Sequence, residues 1–146
     1  MIPIRTILAP SDISSLSLPA IRYALEIGLE RNAEVIIYHV IESEYAGFGD
    51  GDPNDPAMAL VPQQKKRLNE FVRNNFADYL NKVKITEWVE CGLPYEKIVA
   101  KAGHVHADLI VMSTHGRTGL EQLILGSVTA KVVARAACPV LSIKPG

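Results

Sequence analysis

Three short stretches of the chain, residues 6–9, 35–38 and 109–112, are apolar almost without interruption, and a fourth, 139–143, closes the chain. They are rich in Ile, Val and Leu and do not alternate with polar residues. A strand covered on both faces reads this way, because neither side meets water. A fifth stretch, 83–89, alternates more, with Val83, Ile85, Trp88 and Val89, and predicts an edge strand. Helical spacing fills the gaps. Ser17 is placed to cap a helix, with Pro19 in the first turn where it is tolerated and Ile21, Ala24, Leu25 and Gly28 on one face. Leu68, Phe71, Val72, Phe76, Tyr79 and Leu80 form an apolar stripe through Lys65, Lys66, Arg67, Arg73 and Asn74. A shorter helix is predicted over 94–102, stopped by Gly103 in a C-terminal capping role. A last helix carries Leu123, Ile124, Val128 and Val132 and ends before Cys138-Pro139. The order β-α-β-α-β-α-β-α-β predicts a parallel sheet with helices on both faces and right-handed crossovers.

One connection breaks the rhythm. Residues 42–62 hold Gly47, Gly49, Gly51, Pro53, Pro56 and Pro62 around Asp50, Asp52 and Asp55, which is long for a loop in a compact α/β unit. Its Met58, Leu60 and Val61 could fold back over a site or into a partner; plain mobility is the competing reading. The acidic trio lacks the spacing of an EF-hand loop.

Composition narrows the class. The chain has 146 residues, 48% hydrophobic and 21% charged, with a formal net charge of −1. One domain over 1–146 is expected, with a core that needs no disulfide or metal. The charge balance gives no general attraction to nucleic acid or an anionic membrane. No stretch reaches the ~18 apolar residues of a membrane span, and no signal peptide is evident, so a soluble cytoplasmic protein is expected. Cys91 and Cys138 are too far apart for C-x-x-C chemistry and read as small core residues.

In an open α/β sheet, ligands bind beyond the carboxyl ends of the strands, where the strand order reverses. Two strand ends carry suitable residues. The first is Ala9-Pro10-Ser11-Asp12, where Asp12 could accept hydrogen bonds from a ribose or an amine, or serve only as a turn or cap residue. The second begins at Met112 and runs through Ser113, Thr114, His115, Gly116, Arg117, Thr118 and Gly119 to Gly126, Ser127, Val128 and Thr129. Glycines admit phosphate oxygens to backbone N–H groups, and a following helix N-terminus adds a favourable dipole. Arg117 is the local cation. The run is neither a Walker A loop nor a G-x-G-x-x-G fingerprint, and a ligand-free βα loop would read similarly. His104 and His106 form an H-x-H on a surface turn, without a completing metal cluster. His39 reads as a satisfied, partly buried histidine, His115 as a residue that shapes its loop, and Lys65-Lys66-Arg67 as a solvated helix face.

Taken together, I-L-A-P-S-D at the start, A-D-L-I-V-M-S-T-H-G-R-T-G with the later L-I-L-G-S-V-T, and the closing C-P-V-L-S-I resemble the universal stress protein family over the whole chain. Its ATP-binding members show Gly, two residues, Gly, nine residues, Gly, then Ser or Thr. Here the series is Ser113, Gly116, Gly126 and Ser127, so the first glycine is replaced. Serine adds one hydroxymethyl group, which strains the backbone only where left-handed φ is required.

The resemblance implies an open five-stranded parallel sheet of order 3-2-1-4-5, Rossmann-like, of the adenine nucleotide alpha hydrolase type. It implies that Asp12 contacts ribose or adenine, that Pro10 and the backbone of Val40 flank the base, and that phosphates lie against Gly116, Gly126, Ser127 and Thr129. Ser11, Met112, Ser113, His115, Arg117 and Val128 complete the expected nucleotide site. The expected ligand is ATP, with ADP or AMP as alternatives, accompanied by Mg²⁺. A homodimer through the last strand, by Val140, Leu141 and Ile143, would satisfy an exposed sheet edge. The expected role is stress-responsive regulation rather than efficient catalysis, because Asp12, His115 and Arg117 do not make a phosphoryl-transfer centre; slow hydrolysis is the most turnover foreseen. The alternative is a nucleotide-free dimer acting through protein contacts. An adenylating enzyme would need a pyrophosphate loop such as S-G-G-x-D-S, which P-S-D-I-S-S is not.

Overall fold

The computed structural model describes residues 2–43, 53–116 and 125–145. Five strands, β1 (Thr6–Pro10), β2 (Glu34–Glu42), β3 (Ile85–Gly92), β4 (Leu109–Ser113) and β5 (Val140–Ile143), alternate with α1 (Leu18–Arg31), α2 (Val61–Phe76), α3 (Pro94–His104) and α4 (Ser127–Arg135). The strands are all parallel, in the order β3-β2-β1-β4-β5. The continuous apolar runs have the cause inferred from sequence. Ile7, Ala9, Val35, Ile37 and Val111 face a core that includes Ile21, Leu25, Leu68 and Val72 of α1 and α2. Their neighbours Leu8, Ile36, Tyr38, Ile110 and Met112 face a second core with Ile98, Ala102 and Val132 of α3 and α4. Alternate residues of one strand therefore serve opposite layers, and each fully buried Leu or Ile contributes about 1.5–3 kcal/mol.

The helices deviate from expectation at their ends. Ser17 precedes α1, but its hydroxyl donates to Ser14 O at 2.9 Å rather than capping the helix, because a 3-10 turn (Ser15–Ser17) occupies the entry. Gly103 does not stop α3, which runs on to His104. The stop comes from His106, at φ 53°, with His106 N–H donating to Gly103 O and Ala107 N–H to Ala102 O. That is a Schellman closure with histidine in the left-handed position, where glycine is more common. The stripe of α2 buries Leu68, Val72 and Phe76, then passes into a 3-10 turn (Ala77–Tyr79) that buries Tyr79 and leaves Leu80 exposed. Leu123 and Ile124 lie outside the described residues; α4 buries Val132 and half-buries Val128.

Of the long connection, residues 44–52, with Gly47, Gly49, Gly51, Asp50 and Asp52, lie outside the described residues. Its far end is a 3-10 helix (Pro56–Leu60) capped by Asp55. Ala57 and Val61 pack on the α1/α2 core, while Met58 and Leu60 are 39% and 43% exposed, so of the three apolar residues only Val61 folds back. Asp55 is buried, accepting Ser43 Oγ at 2.5 Å and Ala57 N–H at 2.9 Å.

β3 is an edge strand, as its alternation predicts. Trp88 on it is 37% exposed, and its ring lies 3.5 Å (centroid) from Lys101 Nζ. Both cysteines are free and half-buried, and burial pushes both thiols above their ordinary range. Among the described residues, no helix is long and apolar enough to cross a membrane.

Candidate functional site

The strand order reverses between β1 and β4, because β1 pairs with β2 on one side and β4 on the other. The connections leaving these two strands start in opposite layers, which opens a cleft at their carboxyl ends. Pro10 ends β1, buried. The ladder continues one residue further, with Ser11 N–H donating to Tyr38 O at 2.8 Å. Ser11 Oγ lies 2.8 Å from Ser17 Oγ and accepts Ile13 N–H at 3.0 Å. Those bonds hold Ile13 at φ 62°, a left-handed conformation unusual for a β-branched residue and costing about 1–3 kcal/mol. The chain turns sharply as a result. Asp12 Oδ1 accepts Ser14 N–H at 3.0 Å and Ser14 Oγ–H at 2.5 Å. Asp12 thus closes a turn and does not cap α1, which starts at Leu18. Its other oxygen, Oδ2, lies 3.3 Å from where a β-carbon on Gly116 would stand. The two loops meet there, across the β1–β4 seam.

On the β4 side, Thr114 N–H donates to Ile143 O at 2.9 Å and anchors the loop to β5. Ser113 is not left-handed, so serine in place of glycine brings no backbone strain. Its hydroxyl donates to His115 O at 2.7 Å and accepts His115 N–H at 3.3 Å. Thr114 Oγ1 lies 2.9 Å from His115 Nδ1. The loop returns to α4 at Gly126, whose N–H donates to Thr114 O at 2.7 Å. Gly126 is extended at φ −65°, ψ 161°, so its role here is one of space and not of backbone freedom. A β-carbon would sit 3.2 Å from Thr114 O and 3.4 Å from His115 Cα, both backbone atoms that yield poorly. Thr129 is buried and its hydroxyl donates to Ser113 O at 2.8 Å.

Pro10, Ser11, Asp12, Ser113, His115, Gly116, Gly126 and Ser127 thus gather at the ends of β1 and β4. The side chains of three more expected residues lie in or against the α3/α4 core, which leaves the backbone role expected of Val40 untouched. Met112 is buried in the α3/α4 core, and Val40 and Val128 are partly buried against it. The hydroxyl of Thr129 and the N–H of Gly126 point into the loop itself. Arg117 lies outside the described residues. Ser14, Thr114 and His39 were not singled out for the site. Ser14 was legible as the second residue after an aspartate, the spacing of an Asx turn. His39 is half-buried, as expected, and its Nδ1 lies 2.9 Å from Ser11 O; since a carbonyl can only accept, Nδ1 carries the proton.

The cleft offers a carboxylate oxygen at one wall, a glycine gap between the loops, and an α4 N-terminus whose N-cap residue is a glycine with no side chain to cap it. Acceptor, gap and helix dipole suit a neutral hydroxyl or amine joined to an anion. The missing β-carbons at 116 and 126 let the two loops approach each other and themselves closely. Among the described residues, no group of three His, Cys, Asp or Glu side chains could hold a metal ion.

Comparison with known proteins gives a consistent result. The Usp model, universal stress protein family, matches residues 3–144. The universal stress protein MJ0531 of Methanocaldococcus jannaschii is 36% identical over 141 residues, covering 96% of this chain and 82% of that protein. The universal stress protein UspA from Lactobacillus plantarum has the same fold, with a TM-score of 0.80 at 22% identity, covering 99% and 100% of the two chains. A universal stress protein in complex with cAMP superposes with a TM-score of 0.64 at 26% identity, again over 99% and 100%. With nearly its whole length matched and the strand order the resemblance implied, the chain belongs to the universal stress protein family.

Proposed function

We propose that this protein binds an adenine nucleotide at the β1–β4 seam and acts as a nucleotide-dependent regulator in stress adaptation, not as an efficient enzyme. The observation that carries this is the approach of Asp12 Oδ2 to Gly116, beside a Gly126 whose β-carbon would press on the Thr114 carbonyl. The cAMP bound by a 26% identical relative supports the same ligand class. When bound, the nucleotide supplies base, ribose hydroxyls and phosphates, with Mg²⁺ to balance phosphate charge. Asp12 would accept from the ribose or base, with Ser14 holding the carboxylate in place. Gly116, Ser127 and the α4 N-terminus would receive phosphate. Pro10 and the backbone of Val40 would flank the base. ATP is the member of the class expected from the motif, and a homodimer through β5 the expected assembly.

Isothermal titration with ATP, ADP and AMP, each with Mg²⁺, tests the reading beside Asp12→Ala and Gly126→Val. The expected result is binding in the wild type, weakened at least about tenfold in each variant, by loss of a charged acceptor in Asp12→Ala and by crowding of the Thr114 carbonyl in Gly126→Val. Binding unchanged in both variants would place the ligand elsewhere. A second reading, contacts with proteins alone, is favoured by the Gly126 N–H and Thr129 hydroxyl being already bonded within the loop. Adenine nucleotide retained through native purification, seen by mass spectrometry, would sink it.

A further inference from the structure

We infer that the open edge of β3 is a docking site for an extended, acidic segment of a partner protein, which adds to the sheet as a further strand. The inference does not depend on the nucleotide reading. β3 ends the sheet, beside β2. Val35 N–H donates to Lys84 O at 2.9 Å and Ser43 N–H to Gly92 O at 3.1 Å, so even-numbered residues of this segment turn their peptide groups to β2. Those of Ile85, Glu87 and Val89 therefore point outward, and among the described residues nothing is hydrogen-bonded to them. Edge strands are ordinarily blunted by shortness, proline, lysine or a bulge. β3 runs for 8 residues in unbroken register, from Ile85 against Val35 to Gly92 against Glu42, with no proline and no lysine. β5, at the other edge, has 4 residues between Pro139 and Lys144-Pro145.

The side chains along this edge select the partner. On the α2 side, Asn69 Nδ2 donates to both Glu87 carboxylate oxygens at 3.2 Å, which places Asn69 beside the edge. Lys65 and Lys66, one turn of α2 earlier, and Arg73, one turn later, share its helix face and are all exposed. Glu70, next in sequence, is turned off that face. Cations thus outnumber the carboxylate of Glu87 along this side. On the α3 side Glu90 is already neutralised by Lys97 and Lys101, and Trp88 is 37% exposed. The side chains of an added strand alternate between the two faces. Acidic ones would meet the α2 cations and apolar ones would lie next to Trp88, while main-chain hydrogen bonds supply affinity. A second copy of this chain fits poorly. Paired antiparallel along β3, it would set its own Lys65, Lys66 and Arg73 against the same residues.

The test is fluorescence anisotropy of a labelled peptide that alternates valine and glutamate, beside the same peptide with lysine in place of glutamate. The wild type should bind the glutamate peptide at least about tenfold more tightly than the lysine one. Glu87→Pro removes the central outward donor and spares the β2 ladder, and should weaken binding of the glutamate peptide by about tenfold or more. That variant also loses a negative charge, which by itself favours the glutamate peptide, so Glu87→Gln should bind it at least as tightly as the wild type. Lys66→Glu combined with Arg73→Glu should reverse the preference between the two peptides. Should proline unfold the protein, seen by circular dichroism, the reversal decides alone. Equal binding of both peptides, binding of neither, binding that a folded Glu87→Pro leaves unchanged, or a preference that the double variant leaves in place overturns the inference. Light scattering addresses the other occupant: self-association lost in Glu87→Pro would assign the edge to a second copy and overturn it as well.

Discussion

Lys101 is 7% exposed, and its amino group is held in a paired network. Its Nζ lies 2.7 Å from Glu90 Oε1, which also accepts the Tyr38 hydroxyl at 2.9 Å, while Lys97 Nζ stands 3.6 Å from Glu90 Oε2. Burial alone would push the Glu90 carboxyl up. Hydrogen bonds from Lys101 and Tyr38 and the charges of both lysines outweigh it and hold the carboxyl below the usual glutamate range. A carboxyl lowered on folding stabilises the protein above its unfolded pKa, and that contribution fades as pH falls through the folded value. Glu90→Gln leaves Lys101 buried without its counter-charge and is expected to cost ~2 kcal/mol at neutral pH. Urea unfolding from pH 7 downward should show the gap to wild type closing as Glu90 protonates; a gap that stays constant into acid would assign the loss to packing. None of this network was legible in the sequence. Trp88, Glu90 and Lys101 look like ordinary surface residues of an edge strand and a helix, and only their register brings them together.

At the level of elements, the packing of α1 on the sheet depends on a missing side chain. A β-carbon on Gly28 would lie 2.8 Å from Val35 Cγ2, 3.1 Å from Val83 Cγ1 and 3.2 Å from Ala33 O. Alanine would gain up to about 1 kcal/mol in helix propensity. The overlap should outweigh that, so Gly28→Ala is expected to lower stability by about 1–2 kcal/mol, read from the shift in denaturant midpoint at unchanged m. A stabilised variant would mean that α1 moves away from β2 at little cost. Strands and helix faces were legible, because burial on two faces or one imposes a period on the sequence. Helix ends were not. Ala107 N–H finds Ala102 O by passing through His106, and Gly103 keeps helical geometry, so the residue with most freedom is not the one that uses it. The same limit applies in the candidate site. The motif brought Gly126 and Thr129 to the right place, but the direction of the Thr129 hydroxyl depends on how α4 seats against β4.

For the whole molecule, the alternation of elements predicted a parallel sheet, and the family resemblance supplied the strand order; periodicity alone could not, since many orders bury the same runs. β5 ends the sheet with one edge open. Ile110 N–H donates to Pro139 O and Thr114 N–H to Ile143 O, so odd-numbered residues of this segment face β4. The peptide groups of Val140 and Ser142 therefore turn outward. If a second copy pairs along this edge, Ser142→Pro removes an outward donor without breaking the β4 ladder. Light scattering should then report a dimer for the wild type and a monomer for the variant. A variant that remains dimeric would move the interface away from β5.

The contact of Trp88 with Lys101 has an optical consequence. Trp88 is the sole tryptophan, so the indole emission of the whole protein comes from one ring with an ammonium group against its face. That ring stands on β3, two strand spacings of about 4.8 Å from β1. Its fluorescence should follow the release of Lys101 as the fold melts and stay silent to a ligand at Asp12. The chain thus carries its own unfolding gauge, separate from any signal of occupancy.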